Sequence, residues 1–172
     1  MILVAAVAFS GCTEEAPPAP VPVVTYAPGQ VLYTTGEVTG QGITGGQLAT
    51  GTIDTITFSV GLVPCARSVD MEMLTIVYAD AVRSETLIPV QGYRGNPPQG
   101  SWGILDVQNE IGGQNNRLDD KELFTIRINP RAPLVPRQLI TIGIKPEEGP
   151  TLTLRRVSPS TILAENNILA PV

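Results

Sequence analysis

From residue 30 to the C-terminus, apolar and polar residues alternate in short runs. Ile56, Phe58, Val60 and Leu62 are separated by Thr57, Ser59 and Gly61. Leu74, Ile76 and Tyr78 share one face of a second run, and Phe124, Ile126 and Ile128 share one face of a third. Two more runs place Ile140, Ile142 and Ile144, then Leu152 and Leu154, on a common side. A period of two sends alternate side chains to opposite faces of an extended chain, so each run predicts a strand with one buried face. Weaker alternation predicts further strands at 32–39, 84–91, 102–107 and 162–169, for eight or nine in all. Pro and Gly fall between them, at Gly61 to Pro64, "QGYRGNPPQGSWG", "EIGGQNN", "NPRAPLVP" and "PEEGP", where turns need them. No stretch keeps a 3.6-residue apolar period for more than about two turns. The expected fold class is all-β, a sandwich or barrel.

The first 29 residues read differently. Residues 1–11 form a short apolar segment, 12–29 a Pro-rich linker, and 30–172 the β-domain. The run MILVAAVAF is far short of the roughly 20 residues that cross a bilayer as a helix. Ahead of the small pair Ser10-Gly11 it has the form of the apolar part of an export signal. Phe9-Ser10-Gly11-Cys12 resembles a lipobox, which implies Cys12 as a lipid-attachment residue; Phe9 stands where Leu is usual, and no Lys or Arg precedes the run. The competing readings are a fragment of a longer apolar helix and a Cys12–Cys65 disulfide in an exported, unlipidated chain. "TEEAPPAPVPVVTYAP" holds five prolines in sixteen residues, the composition of a semi-rigid spacer between an anchor and a folded domain.

Composition narrows the function. A chain of 172 residues has room for one domain with its own core. Lys+Arg 11 against Asp+Glu 16 gives a net charge of -5, which supplies no cationic footprint for nucleic acid. There is no histidine, so the commonest general base and the commonest metal ligand are missing. Two cysteines cannot make a four-thiolate zinc site. No nucleophile elbow, phosphate-cradling loop or dinucleotide fingerprint occurs. The expectation is a protein without enzymatic activity or cofactor.

Two stretches carry candidate sites. "NNRLDDKE" places Asn116, Asp119, Asp120 and Glu122 close together, oxygen donors of the kind Ca²⁺ takes, although their spacing is not that of an EF-hand loop. The plainer account is a solvated turn before a strand. Tyr93 and Trp102 flank the tip "GNPPQG" and form a candidate contact patch, since aromatic residues are enriched at binding surfaces. The alternative for Trp102, the only Trp in the chain, is a place in the core. Arg155 and Arg156 are expected to pair with carboxylates on a neighbouring strand, and "GQGITGGQ" to form a hairpin or loop.

In order along the chain, "TTGEVTGQG", "GTIDTITFSVGLVPCARSVDMEMLTIVYAD", "LDDKELFTIRINP", "LITIGIKPEEGPTLTLRRVSPSTI" and "ILAPV" resemble strands of the outer domain of archaeal flagellin, the archaellin. The shared features are spacings: an apolar-Pro loop ending in apolar-Asp, a Lys-Pro-acidic-Gly turn, an Arg-rich strand, a Pro and a short last strand. The resemblance implies an immunoglobulin-like β-sandwich and a non-enzymatic structural role on the archaeal cell surface. Partners would be itself or other archaellum and envelope proteins, with the membrane reached through the N-terminal anchor. The same sandwich serves archaellum stator components and anchored surface proteins, so the alternative is a lipid-anchored extracellular binding module with a ligand- or Ca²⁺-binding loop. Two features depart from the family. Pro17 and Pro18 interrupt what resembles a fragment of the filament helix, and without such a helix the chain is not expected to build a filament core in the family's way. There is also no N-x-[ST] sequon, although archaellins are commonly glycosylated.

Overall fold

A computed structural model describes residues 25–44, 46–91, 95–113 and 115–172. Cys12 and Tyr93 lie outside them. The alternating runs form the long strands: β1 (Leu32–Gln41), β4 (Thr55–Leu62), β6 (Thr75–Asp80), β7 (Ser84–Val90), β8 (Ser101–Gln108), β10 (Leu123–Asn129), β11 (Leu139–Lys145) and β12 (Leu152–Val157). Six short strands complete the fold: β2 (Ile43–Thr44), β3 (Gln47–Leu48), β5 (Val69–Asp70), β9 (Arg117–Leu118), β13 (Asn167–Ile168) and β14 (Ala170–Pro171). Among the described residues the only helical turn is a 3-10 turn at Met71–Met73.

Ten strands follow one another in the order β13-β1-β4-β10-β8-β7-β6-β11-β12-β14. All neighbours are antiparallel except β7 and β8, which pair in parallel through Ile88 with Ser101 and Val90 with Gly103. The two ends of this order, β13 and β14, are consecutive in the chain. Asn167 and Ile168 pair with Gly40 and Thr39 of β1, and Ala170 and Pro171 pair with Val157 and Arg156 of β12. Between them Leu169 donates its N–H to the Val38 carbonyl at 2.9 Å and buries its side chain. One short C-terminal segment therefore pairs with two residues of β1 and two of β12, and the sheet is nearly closed on itself. Unpaired edges template aggregation, and closure removes them.

The inward set is the one the alternation predicts. Ile56, Phe58 and Val60 of β4, Phe124, Ile126 and Ile128 of β10, Ile76 and Tyr78 of β6, and Ile140, Ile142 and Ile144 of β11 are all buried in a single cluster. Burial of this apolar surface, at roughly 25 cal/mol per Å², is the main favourable contribution to folding. Two irregularities shape the wall. Between Thr35 and Thr39 the register of β1 against β4 shifts, with Gly36 at φ 73°; such bulges bend a strand and raise its twist. The "GQG" glycines are explained by packing. A Cβ on Gly42 would collide with the carbonyl oxygens of Ala49 and Thr52, and one on Gly40 would crowd Ile53 and Leu169.

The last predicted strand needs correction. Residues 162–166 are irregular, and only Asn167–Ile168 and Ala170–Pro171 are extended and paired. Asn167 explains the break: its Oδ1 accepts from the Leu163 N–H at 2.7 Å, while its Nδ2 donates to the carbonyls of Leu163 at 2.8 Å and Gly40 at 3.1 Å. A buried amide that folds the preceding segment back on itself competes with a straight strand. Arg155 and Arg156 also depart from expectation. They oppose Thr141 and Ile140 on β11, and Arg156 lies against Pro171 on β14, so no carboxylate stands across from either.

Tyr78 sits in the core with its hydroxyl buried and, among the described residues, without a hydrogen-bond partner. Burial pushes the phenol well above its ordinary value, with Asp80 and Glu85 adding to the rise and Arg83 opposing it. Because the folded state holds the proton more tightly than the unfolded chain, this group's contribution is fully present below about pH 10 and is lost as pH climbs beyond it. Tyr78→Phe removes an unpaired buried hydroxyl and is expected to stabilise the fold by about 1 kcal/mol at neutral pH. It should also flatten the alkaline loss of stability, as read by urea denaturation at neutral pH and above pH 10. A destabilised Phe variant would show that the hydroxyl has a partner in solution.

Candidate functional site

A groove of about 570 Å³ lies at one end of the sandwich. The short pair β5–β9 supplies part of it, with Asp70 opposite Arg117 and Val69 opposite Leu118. Val69 and Leu118 are buried and anchor the pair in the core, which leaves Arg117 at the surface. Asp70 is held in place by its local role: its Oδ1 accepts from the Glu72 N–H at 2.9 Å and caps the 3-10 turn. Arg67 enters from the loop that follows β4. The remaining part is the β11–β12 turn, which contributes Glu147 and Glu148. Gly149 fixes that turn at φ 98°, and a Cβ there would stand 2.6 Å from Val31 Cγ2, so the turn packs directly against the residue that leads into β1.

Arg67, Arg117, Glu147 and Glu148 are all exposed. The two ion pairs among the described residues lie elsewhere, Arg83 with Asp80 at 3.2 Å and Arg131 with Glu85 at 3.5 Å. Among the described residues none of the four groove side chains makes an ion pair. The groove thus presents the guanidinium groups of Arg67 and Arg117 and the carboxylates of Glu147 and Glu148 to whatever approaches it, with the half-buried carboxylate of Asp70 standing opposite Arg117 on β5. It offers charge for recognition and holds no nucleophile paired with a base.

The structure distributes the predicted site residues. Asn116 donates through Nδ2 to Glu72 Oε1 at 2.7 Å and through its carbonyl accepts from the Met71 N–H at 2.8 Å, which ties the loop before β9 to the 3-10 turn. Glu122 is 1% exposed. Its Oε1 accepts from the Ile111 N–H at 2.7 Å and its Oε2 from the Asp119 N–H at 2.9 Å. Both oxygens serve the backbone of the loop between β8 and β10. Asp119 is half-buried and Asp120 exposed. Among the described residues, no three His, Cys, Asp or Glu side chains come together as metal ligands.

Trp102 is 2% exposed, at the start of β8 and opposite Ile128 of β10; it belongs to the core and presents no ring face to solvent. Its Nε1 has no hydrogen-bond partner among the described residues. The tip above it is tied to β10, where Asn129 Nδ2 donates to the Pro97 carbonyl at 2.6 Å and Arg127 Nη1 donates to Asn96 Oδ1 at 2.8 Å. Arg127 Nε donates to Thr57 Oγ1 at 3.0 Å, and partial burial lowers the pKa of the guanidinium. Cys65 is exposed and, among the described residues, unbridged, in the loop beside the groove, with φ 67°. The groove itself escaped sequence reasoning, because its charged residues lie on segments far apart in the chain and follow no periodic pattern.

Comparison with known proteins bears on the fold. No family model matches the sequence, and no curated protein matches it. Among solved structures, archaeal flagellin FlaB1 from Methanocaldococcus jannaschii superposes with a TM-score of 0.60 at 13% identity, over 82% of this chain and 98% of that one. The archaeal flagellum of Methanospirillum hungatei strain JF1 superposes with a TM-score of 0.53 at 14% identity, over 83% of this chain and 72% of that one. The archaellum periplasmic stator protein FlaG from Sulfolobus acidocaldarius superposes more loosely, with a TM-score of 0.43 at 17% identity over 59% of this chain and 85% of that one. The β-domain is archaellin-like in fold, an all-β sandwich shared at low sequence identity.

Proposed function

We propose that this chain is a non-enzymatic structural protein of the archaeal cell exterior, acting by self-association or by docking onto archaellum or envelope components. The observation that carries the reading is the overlay of most of the chain on the sandwich of an archaeal flagellin. The nearly closed sheet suits that role, since a domain standing outside a cell must resist edge-to-edge pairing of the wrong kind. The groove of unpaired charges gives it a polar surface through which contact can be selective.

Cys12 is the proposed lipid-attachment residue. One acyl chain gives only marginal membrane binding, so a stable anchor carries two or more chains, and the Pro-rich linker then spaces the sandwich from the membrane. The deciding experiment is cross-linking in intact cells of the native host, followed by mass spectrometry of this protein and its N-terminal peptide. The expected result is cross-links to itself or to envelope and archaellum proteins, together with a lipid-modified peptide beginning at Cys12. Cross-links confined to cytosolic proteins would overturn the surface role. An unmodified peptide running through Cys12 would overturn the anchor alone.

A further inference from the structure

We infer that the groove at the end of the sandwich is a self-association surface, in which a second copy of this chain docks its β11–β12 turn against Arg67 and Arg117 while receiving the same contact in return. The inference rests on the self-association reading above and specifies the surface through which it is built. Three observations carry it. Arg67 and Arg117 come from the loop after β4 and from β9, whereas Glu147 and Glu148 come from the β11–β12 turn, around one cavity of about 570 Å³; Asp70, on the arginine side, is half-buried and engaged in capping the 3-10 turn. All four side chains are exposed, and among the described residues none of them has an ion-pair partner. The acidic turn is held firmly on Val31 through Gly149, so it meets a partner without first having to be ordered.

A surface that carries both signs on separate elements is complementary to itself. In an isologous contact each patch meets its own copy, so residue i touches j and j touches i. A twofold axis running along the groove places the guanidinium groups of one copy opposite the carboxylates of the other, twice over. An axis across the groove would set like charges together and is disfavoured. A small anion would use only the arginines and a small cation only the glutamates. A second copy is the occupant that uses all four. Exposed charge pairs are individually weak and screened by salt, so the association should be modest and salt-sensitive.

The test uses two charge-reversed forms of the full chain in a mild non-ionic detergent, followed by sedimentation velocity. One carries Glu147→Lys with Glu148→Lys, the other Arg67→Glu with Arg117→Glu; all four positions are exposed, and circular dichroism confirms that both forms fold. The wild type is expected to form dimers that weaken between about 0.05 and about 0.5 M salt. Each variant alone should dimerise at least about tenfold more weakly, and an equimolar mixture should restore dimers, because a predominantly positive groove then meets a negative one. Variants that associate as strongly as the wild type overturn this surface while leaving self-association standing. A mixture that stays monomeric when the wild type dimerises overturns the reciprocal geometry. A wild type that remains monomeric throughout overturns both this surface and self-association, and leaves docking onto other envelope components as the working role.

Discussion

A chain that ends at Asn166 is expected to fail to accumulate as a folded monomer. The six residues it loses supply both edge pairings of the sheet, Asn167 and Ile168 against β1 and Ala170 and Pro171 against β12. They also supply the buried Leu169 side chain and the Asn167 amide that satisfies the Leu163 backbone and the Gly40 carbonyl. Loss of a fully buried leucine alone costs about 2–5 kcal/mol, and each buried hydrogen-bonding group left unpaired adds about 1–3 kcal/mol. Against a typical total stability of about 5–15 kcal/mol, that sum is decisive. The last paired positions on the outer edges of β1 and β12 would also be opened, widening a route to intermolecular pairing. Size-exclusion chromatography and thermal unfolding of the shortened chain provide the measurement, with Leu169→Ala as a milder companion expected to stay folded while losing about 2–5 kcal/mol. A shortened chain that elutes as a monomer and melts like the parent would refute the account of closure.

The second large effect belongs to Glu122. It lies wholly inside the protein, and both of its carboxylate oxygens accept backbone N–H groups, one from Ile111 and one from Asp119. Hydrogen bonds to a charged acceptor contribute about 1.5–3 kcal/mol each, and removing the acceptor leaves buried donors unmet. Glu122→Ala is therefore expected to cost about 3 kcal/mol or more, which in a domain of this size lowers the melting temperature by roughly 6–12 °C. Amide hydrogen exchange gives the local signature. Protection should fall at Ile111 and Asp119 before it falls in β4 or β11, because the loop between β8 and β10 loses its clamp while the core keeps its packing. Glu122→Gln keeps one acceptor oxygen and should fall between the parent and the alanine variant. An alanine variant as stable as the parent would mean that water replaces the carboxylate without cost.

Glu122 also shows where reading residues in order stops being informative. Beside Asp119 and Asp120 it looks like one more oxygen donor for a cation. Its actual role depends on the Ile111 N–H, eleven positions away, and on complete exclusion from solvent. Neither is visible in the local composition. Trp102 is a related case: flanking Pro and Gly suggested a surface tip, but its place opposite Ile128 in the sheet puts it in the core. The groove is a third. Arg67, Arg117 and the Glu147–Glu148 pair have no common period and no shared motif, and only the pairing of β5 with β9 and the seating of the β11–β12 turn on Val31 bring them to one cavity.

The long strands and their buried faces were legible from the order of residues. Alternation with a period of two is a property of neighbouring residues, and any extended chain that hides Ile56, Phe58 and Val60, or Ile140, Ile142 and Ile144, must turn the same side inward. Absence of histidine and a mild net charge of -5 likewise bounded the chemistry before any fold was known. The tertiary structure alone decided the order of the strands, the parallel contact of β7 with β8, and the closure of both edges by one segment. The physical reason is the separation in sequence of the groups involved: hydrogen bonds between Asn167 and Gly40, or between β12 and a strand two residues long, are made only when the whole sheet is assembled. Strands of two residues carry no measurable period, so β5, β9, β13 and β14 owe their conformation to the partners they meet.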